Sequence, residues 1–197
     1  MEEVRSFIAI ELPDELKREL TRLEARLKKS EPTGVRWVDP YGSHLTLKFL
    51  GNIALGRVDE ITGAMAEAAG GIPPFRLEIK GLGVFPGWKR VQVAWVGIGG
   101  EIDKLGQLQG NLESGLARLG FTPETRPFTP HLTLARASNR ASPAERQSLG
   151  QLIAGTSFEA ESTISVEAIN LMRSQLTREG AIYRQVSSVR LLSKATG

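Results

Sequence analysis

The chain reads His44-Leu45-Thr46-Leu47 and, 87 positions later (131 − 44), His131-Leu132-Thr133-Leu134. No other histidine occurs in its 197 residues. Side chains in a strand alternate between faces, so positions i and i+2 point the same way. Each tetrapeptide read as a strand therefore presents His and Thr on one face and two leucines on the other. A single such histidine reads as a half-buried strand residue bonded to a neighbour. Two in identical context predict one site built from two equivalent strands.

Working outward, the flanks repeat in the same order. Phe7 to Leu12 reads as a strand, and Pro13-Asp14-Glu15 starts a helix with acids at its positive end. Leu16, Leu20, Leu23 and Leu27 give that helix an apolar stripe. Val35 to Val38 is a short extended piece, Pro40 and Gly42 make a turn, and His44 to Leu50 is a strand. Ile61, Met65 and Ala68 mark a second helix, and Phe75 to Ile79 alternates as a strand. The second half runs Val91 to Val96 as strand, Ile102 to Leu119 as helix and His131 to Arg136 as strand. Ser142-Pro143-Ala144-Glu145 then fits a capping box before a helix through Leu149, Leu152 and Ile153. Phe158 to Ala160, Ser162 to Asn170 and Ser187 to Leu192 read as extended. Phe75 and Phe158 are 83 apart (158 − 75), close to the histidine offset. The expectation is an internal duplication, with halves of about 1–86 and 87–197 in one bilobal domain over 1–197. Gly81 to Trp88 is too apolar for a free tether and is expected to pack.

Bulk properties narrow the function. Hydrophobic residues at 41% and charged residues at 24% suit a soluble globular domain. The formal net charge of +3 permits a polyanionic substrate without requiring one. Cysteine is absent, which removes disulfides, thiolate metal sites and a cysteine nucleophile. Met1 to Arg5 does not resemble a signal peptide, and no apolar run reaches the roughly 20 residues of a membrane helix. A cytoplasmic protein without a membrane partner is the default.

Two imidazoles across a cleft suit concerted acid–base chemistry. One neutral ring takes a proton from the attacking oxygen, and the other, as imidazolium, gives one to the leaving oxygen. Each transfer contributes ~10²–10⁴-fold when the pKa lies near working pH. The hydroxyls of Thr46 and Thr133 can hold the non-bridging oxygens of a phosphate between the rings. Phosphodiester hydrolysis with no cofactor and no metal fits this inventory. A catalytic zinc would need three protein ligands, and neither tetrapeptide has a carboxylate beside it. Neither a Gly-x-Ser-x-Gly elbow nor a phosphate-binding Gly-x-x-x-x-Gly-Lys-Ser/Thr loop occurs.

The motifs together with Phe7-Ile-Ala-Ile-Glu-Leu-Pro13, Val35-Arg-Trp-Val38, His44-Leu-Thr-Leu-Lys-Phe-Leu-Gly51, Gly81-Leu-Gly-Val-Phe-Pro86, Arg126-Pro-Phe-Thr-Pro-His-Leu-Thr-Leu-Ala-Arg136 and Leu171-Met-Arg-Ser-Gln-Leu176 carry a family likeness. The chain resembles the two-histidine phosphoesterase superfamily, and within it the RNA 2′,3′-cyclic phosphodiesterases, also called LigT- or ThpR-type 2′-5′ RNA ligases. The resemblance implies an α+β, bilobal, duplicated fold with pseudo-two-fold symmetry. Each lobe would be an antiparallel sheet backed by helices, with the active site in the cleft between lobes. It implies metal-independent opening of an RNA-terminal 2′,3′-cyclic phosphate to a 2′-phosphomonoester, with His44 as proton donor and His131 as proton acceptor. The near-symmetric motifs do not themselves assign these roles.

The resemblance also implies a substrate-contacting arginine at Arg136. Five positions past His131, a regular strand would turn it to the opposite face, unless a bulge intervenes. Arg126 can meet RNA phosphates, or be a solvated loop residue. Lys48, four positions past His44, shares that ring's face on regular alternation; a solvated lysine at the cleft rim is the preferred reading, phosphate contact the other. Phe128, Trp37 and Trp88 are candidates for base stacking, with core packing as the alternative. The expected partners are RNA bearing a 2′,3′-cyclic phosphate end or small cyclic nucleotides, and the expected state is a monomer. Competing functions are 2′-5′ ligation, a small cyclic-nucleotide phosphodiesterase, a non-catalytic RNA-end binding module, and a purely structural repeat.

Overall fold

The computed structural model describes residues 3–30, 32–177 and 180–192. In chain order the elements are β1 (Glu3–Glu11), α1 (Asp14–Lys28), β2 (Val35–Trp37), β3 (His44–Ala54), α2 (Val58–Ala69), β4 (Phe75–Phe85), β5 (Val93–Gly100), α3 (Ile102–Arg118), β6 (His131–Ala137), α4 (Pro143–Ala154), β7 (Ile164–Val166), β8 (Ala168–Thr177) and β9 (Gly180–Arg190). Both tetrapeptides open strands. Residues 178, 179 and 193–197, all within the second half read from the sequence, lie outside the described residues.

The strands form two antiparallel sheets, ordered β3-β1-β8-β9 and β2-β6-β5-β4-β7. The runs β3-β1-β8 and β6-β5-β4 correspond, which gives the expected α+β architecture its pseudo-two-fold relation. Each of these runs takes two strands from one half of the chain and its third, β8 or β4, from the other. The counterpart of β4 is thus β8. Phe75 pairs with Val166 of β7, and Phe158 lies outside every strand, so the Phe75–Phe158 spacing does not join equivalent elements.

The helices cross over too. α1 follows a strand of the first sheet but lies against the second sheet's connections. Arg26 donates to the Ser157 carbonyl at 2.7 Å, and Glu19 accepts from the amides of Glu161 and Ser162 at 2.8 and 2.9 Å. α3 follows a strand of the second sheet but packs on α2 and β3 of the first. Its Asn111 donates to the Ala68 carbonyl at 3.1 Å.

The predicted stripes are the buried faces. Leu16, Leu20, Leu23 and Leu27 of α1 and Leu105, Leu108, Leu112 and Leu116 of α3 are all buried. Burying one such leucine contributes about 1.5–3 kcal/mol. They join one apolar core that runs behind both sheets. α4 begins with the capping box read from the sequence: Ser142 Oγ accepts from the Glu145 amide at 3.2 Å, and Glu145 Oε2 accepts from the Ser142 amide at 2.7 Å. Residues 81–85 complete β4, with Val84 buried, so this part of the apolar stretch packs as expected, whereas Trp88 at its end is exposed.

Candidate active site

Leu45, Leu47, Leu132 and Leu134 are buried in the core, and His44, Thr46, His131 and Thr133 are half-buried on the opposite, front faces. The alternation read from the motifs is realised on both strands. Although they belong to different sheets, β3 and β6 come within 8 Å of each other, Cα to Cα.

Both strands then break alternation at the same place. In β3, Ala9 pairs with Thr46 but Ile8 pairs with Lys48, so Leu47 is the extra residue of a bulge. In β6, Trp95 pairs with Thr133 but Ala94 pairs with Ala135, so Leu134 is extra. A bulge shifts every later side chain to the other face. Arg136 therefore lands exposed on the front face with His131 and Thr133, which resolves the tension in its spacing.

The same step removes Lys48 from that face. It is buried at 6% exposure, and its Nζ donates at 2.8 Å to both Glu113 Oε2 and the Thr122 carbonyl. Unbroken alternation would put Lys48 at the rim or at a phosphate; the bulge turns it inward, away from both. The pair has a different use. Glu113 also accepts from the amide of Glu124, so β3 and α3 together pin the irregular segment that leads to His131. Arg126 is exposed on that segment, outside β6.

Each ring is held from behind by the carbonyl two residues upstream. His131 Nδ1 donates to the Thr129 carbonyl at 2.7 Å, and the Gly42 carbonyl bonds His44. A carbonyl can only accept, so His131 Nδ1 carries the proton of that bond. Gly42 ends a turn, Pro40–Gly42, that Asp39 caps by accepting from the Tyr41 amide at 3.0 Å. That is the structural role of the stretch before the first histidine.

Aromatic rings surround both imidazoles. Phe7 and Tyr183 meet His44 edge-on at 5.8 and 5.3 Å between centroids. Phe85 and Trp95 flank His131 at 5.0 and 6.2 Å. Burial pushes the His44 imidazole below its ordinary value. The Glu11 carboxylate opposes that shift, the Lys17 ammonium adds to it, and the Gly42 carbonyl opposes it. A phosphate anion beside the ring acts in the raising direction, since it favours imidazolium.

These aromatic neighbours escaped the sequence reading. For two of them the structure shows the pattern: Phe7 is two positions before Ala9, which pairs with Thr46, and Trp95 pairs with Thr133. Of the aromatics that were singled out, Trp37 and Phe128 pack against the core, whereas Trp88 is exposed. Among the described residues, no group of three or more His, Asp and Glu is placed to hold a metal ion. A depression of about 310 Å³ between α1 and residues 158–161 contains no histidine, and its Glu19 is already engaged by two amides.

Comparison with known proteins decides the family. The model of the LigT-like phosphoesterases matches twice, over residues 10–95 and 96–183. The chain belongs to the LigT-like phosphoesterase family. A relative from Methanothermobacter thermautotrophicus named RNA 2′,3′-cyclic phosphodiesterase is 32% identical, covering 95% of this chain and 99% of its own. One of the same name from Aeropyrum pernix is 36% identical, covering 86% and 95%. Among solved structures of similar fold, Escherichia coli LigT complexed with 3′-AMP superposes with a TM-score of 0.78 at 27% identity, covering 98% of this chain and 100% of that one. A Thermus thermophilus structure also gives 0.78, at 26% identity, covering 96% and 99%. No helix among the described residues is long and apolar enough to cross a membrane.

Proposed function

We propose that this LigT-like phosphoesterase hydrolyses the 2′,3′-cyclic phosphate at an RNA end to a 2′-phosphomonoester, using His131 as base and His44 as acid. The observation that carries the reading is the matched pair of front faces, each with His and Thr before a bulge, on strands that approach across two sheets. Relatives covering most of the chain bear the name of this activity. The complex of E. coli LigT with 3′-AMP supports a nucleotide-sized ligand.

In the proposed reaction, His131 Nε2 takes a proton from water as its oxygen attacks phosphorus. The bond from phosphorus to the 3′ oxygen breaks, and His44 delivers a proton to that oxygen. The products are a 3′ hydroxyl and a 2′ phosphate, and each ring ends in the other's initial protonation state. The Thr46 and Thr133 hydroxyls donate to non-bridging oxygens, and Arg136 offers a charge-assisted contact to the same phosphate. Arg126, on the segment entering β6, is suited to a phosphate further along the RNA. The chain works as one domain built from two halves.

The test is to incubate the protein with adenosine 2′,3′-cyclic phosphate, and with a short RNA bearing a cyclic end, in the presence of EDTA. The expected product is the 2′-phosphate, at a rate unaffected by the chelator. Loss of activity with EDTA, or a 3′-phosphate product, would contradict the proposal.

A further inference from the structure

The motifs repeat, but what stands across the strand from each ring does not. On β1, Ala9 pairs with Thr46 and Glu11 with His44. On β5, Trp95 pairs with Thr133 and Gly97 with His131. The rows correspond strand for strand, so Glu11 and Gly97 hold matched positions, each opposite a histidine. Phe7, Ala9 and Glu11 alternate onto one face, and Phe7 meets the His44 ring, so that face is the front. Residues directly opposite in an antiparallel pair have Cβ atoms about 4.5–5.5 Å apart, close enough for a carboxylate to act on an imidazole through space.

The second position cannot copy the first. A Cβ at Gly97 would stand 2.6 Å from the Lys80 carbonyl, so no side chain, and hence no carboxylate, fits opposite His131. Glu78 of β4, opposite Gly99, is already paired with Lys80 at 3.2 Å. Glu11 is exposed, and among the described residues no Lys or Arg stands within 4 Å of its carboxylate.

Other groups face His44 as well. Lys17 of α1 disfavours the charged ring, and its ammonium lies 3.5 Å from the Asp14 carboxylate. Asp39, in the turn before the ring, accepts from the Tyr41 amide, and Tyr183 of β9 meets the ring edge-on. Burial is the largest influence and disfavours imidazolium; Glu11 is the next largest and favours it.

Resting on the proposed reaction, we infer that Glu11 is the positioning residue that makes His44 the acid: its negative charge keeps the proton on that ring, while glycine at 97 leaves His131 to begin as the base. The symmetry of the two motifs is broken one strand away from them.

The test follows kcat/KM on adenosine 2′,3′-cyclic phosphate from pH 5 to pH 9 in wild type, Glu11→Gln and Glu11→Asp. Without the carboxylate His44 loses its proton at lower pH, so the loss in Glu11→Gln should grow as pH rises and reach about threefold, the scale of an exposed ion pair. Glu11→Asp keeps the charge and should restore most of the rate. The chain has two histidines, so NMR follows each ring directly. Glu11→Gln should move the His44 titration to lower pH and leave that of His131 in place. A loss that is the same at every pH, an unmoved His44 titration, or a shift shared equally by both rings would overturn the assignment. A wild type that opens no cyclic phosphate would instead remove the proposed reaction, and the acid role with it, even if Glu11→Gln still moved the His44 titration.

Discussion

Strands β3 and β6 carry the same His-Leu-Thr-Leu and the same bulge, yet they differ at the next residue. Behind the first sheet stands Lys48, paired with Glu113; behind the second stands Ala135, fully buried and apolar. The duplicated part is the front face that carries histidine and threonine. The unduplicated part is what fixes each strand in its sheet. A repeat can thus keep one face symmetric while its supports diverge.

The strongest way to break the comparison is to remove a ring from either side. His44→Ala and His131→Ala should each lower kcat by ~10²–10⁴-fold, with far-UV circular dichroism unchanged. The double variant should be little worse than either single one, since the rings act as a unit. If one variant stayed near wild-type activity, the equivalence of the two motifs would be lost.

Next comes the support. Lys48→Met leaves the Glu113 carboxylate, itself only 18% exposed, without its cation. It should cost about 3 kcal/mol in urea unfolding, the low end for a broken buried pair. Replacing both partners by apolar residues should recover most of that loss. The mirror change, Ala135→Lys, buries an ammonium with no matching Glu113 and should destabilise comparably.

Arg136 sharpens the comparison further. Arg136→Ala should raise KM about tenfold, the scale of a lost hydrogen bond to a charged group. Arg136→Lys should restore part of the affinity but not the planar fork. Steady-state kinetics on a cyclic nucleotide reads both.

The smallest expected effect is in pH. Burial depresses the folded-state pKa of His44, so the unfolded chain holds that proton more tightly. The stabilising contribution is then complete above the unfolded value of about 6.5 and is lost as pH falls through the folded value. Wild-type urea midpoints should drop more between pH 8 and pH 5 than those of His44→Gln. Equal drops would remove burial as the cause of the shift.

Much of this was legible because it is local. The leucine stripes of α1 and α3, the Ser142 capping box and the alternation of His44 to Leu47 follow from helical and strand periods that read directly from residue order. The bulges were not. Leu47-Lys48 and Leu134-Ala135 carry no glycine or proline to announce an inserted residue, and regular alternation sent Lys48 to the front and Arg136 to the back. Strand exchange was also hidden. That β8 joins β1 as well as its neighbour β9 depends on pairing across more than 150 residues (Ile8 with Leu171), which no local window reports. Tyr183 went unnoticed for the same reason: its contact with His44 spans 139 positions (183 − 44).

The most direct test uses the fact that the chain has only two histidines, so an imidazole NMR spectrum contains only two ring systems. Titrating the protein with adenosine 2′-phosphate should shift the signals of both rings together along one binding curve, and His44→Ala should weaken the response of His131. A ligand that moved one ring and left the other untouched, or moved them with different affinities, would contradict a shared phosphate site.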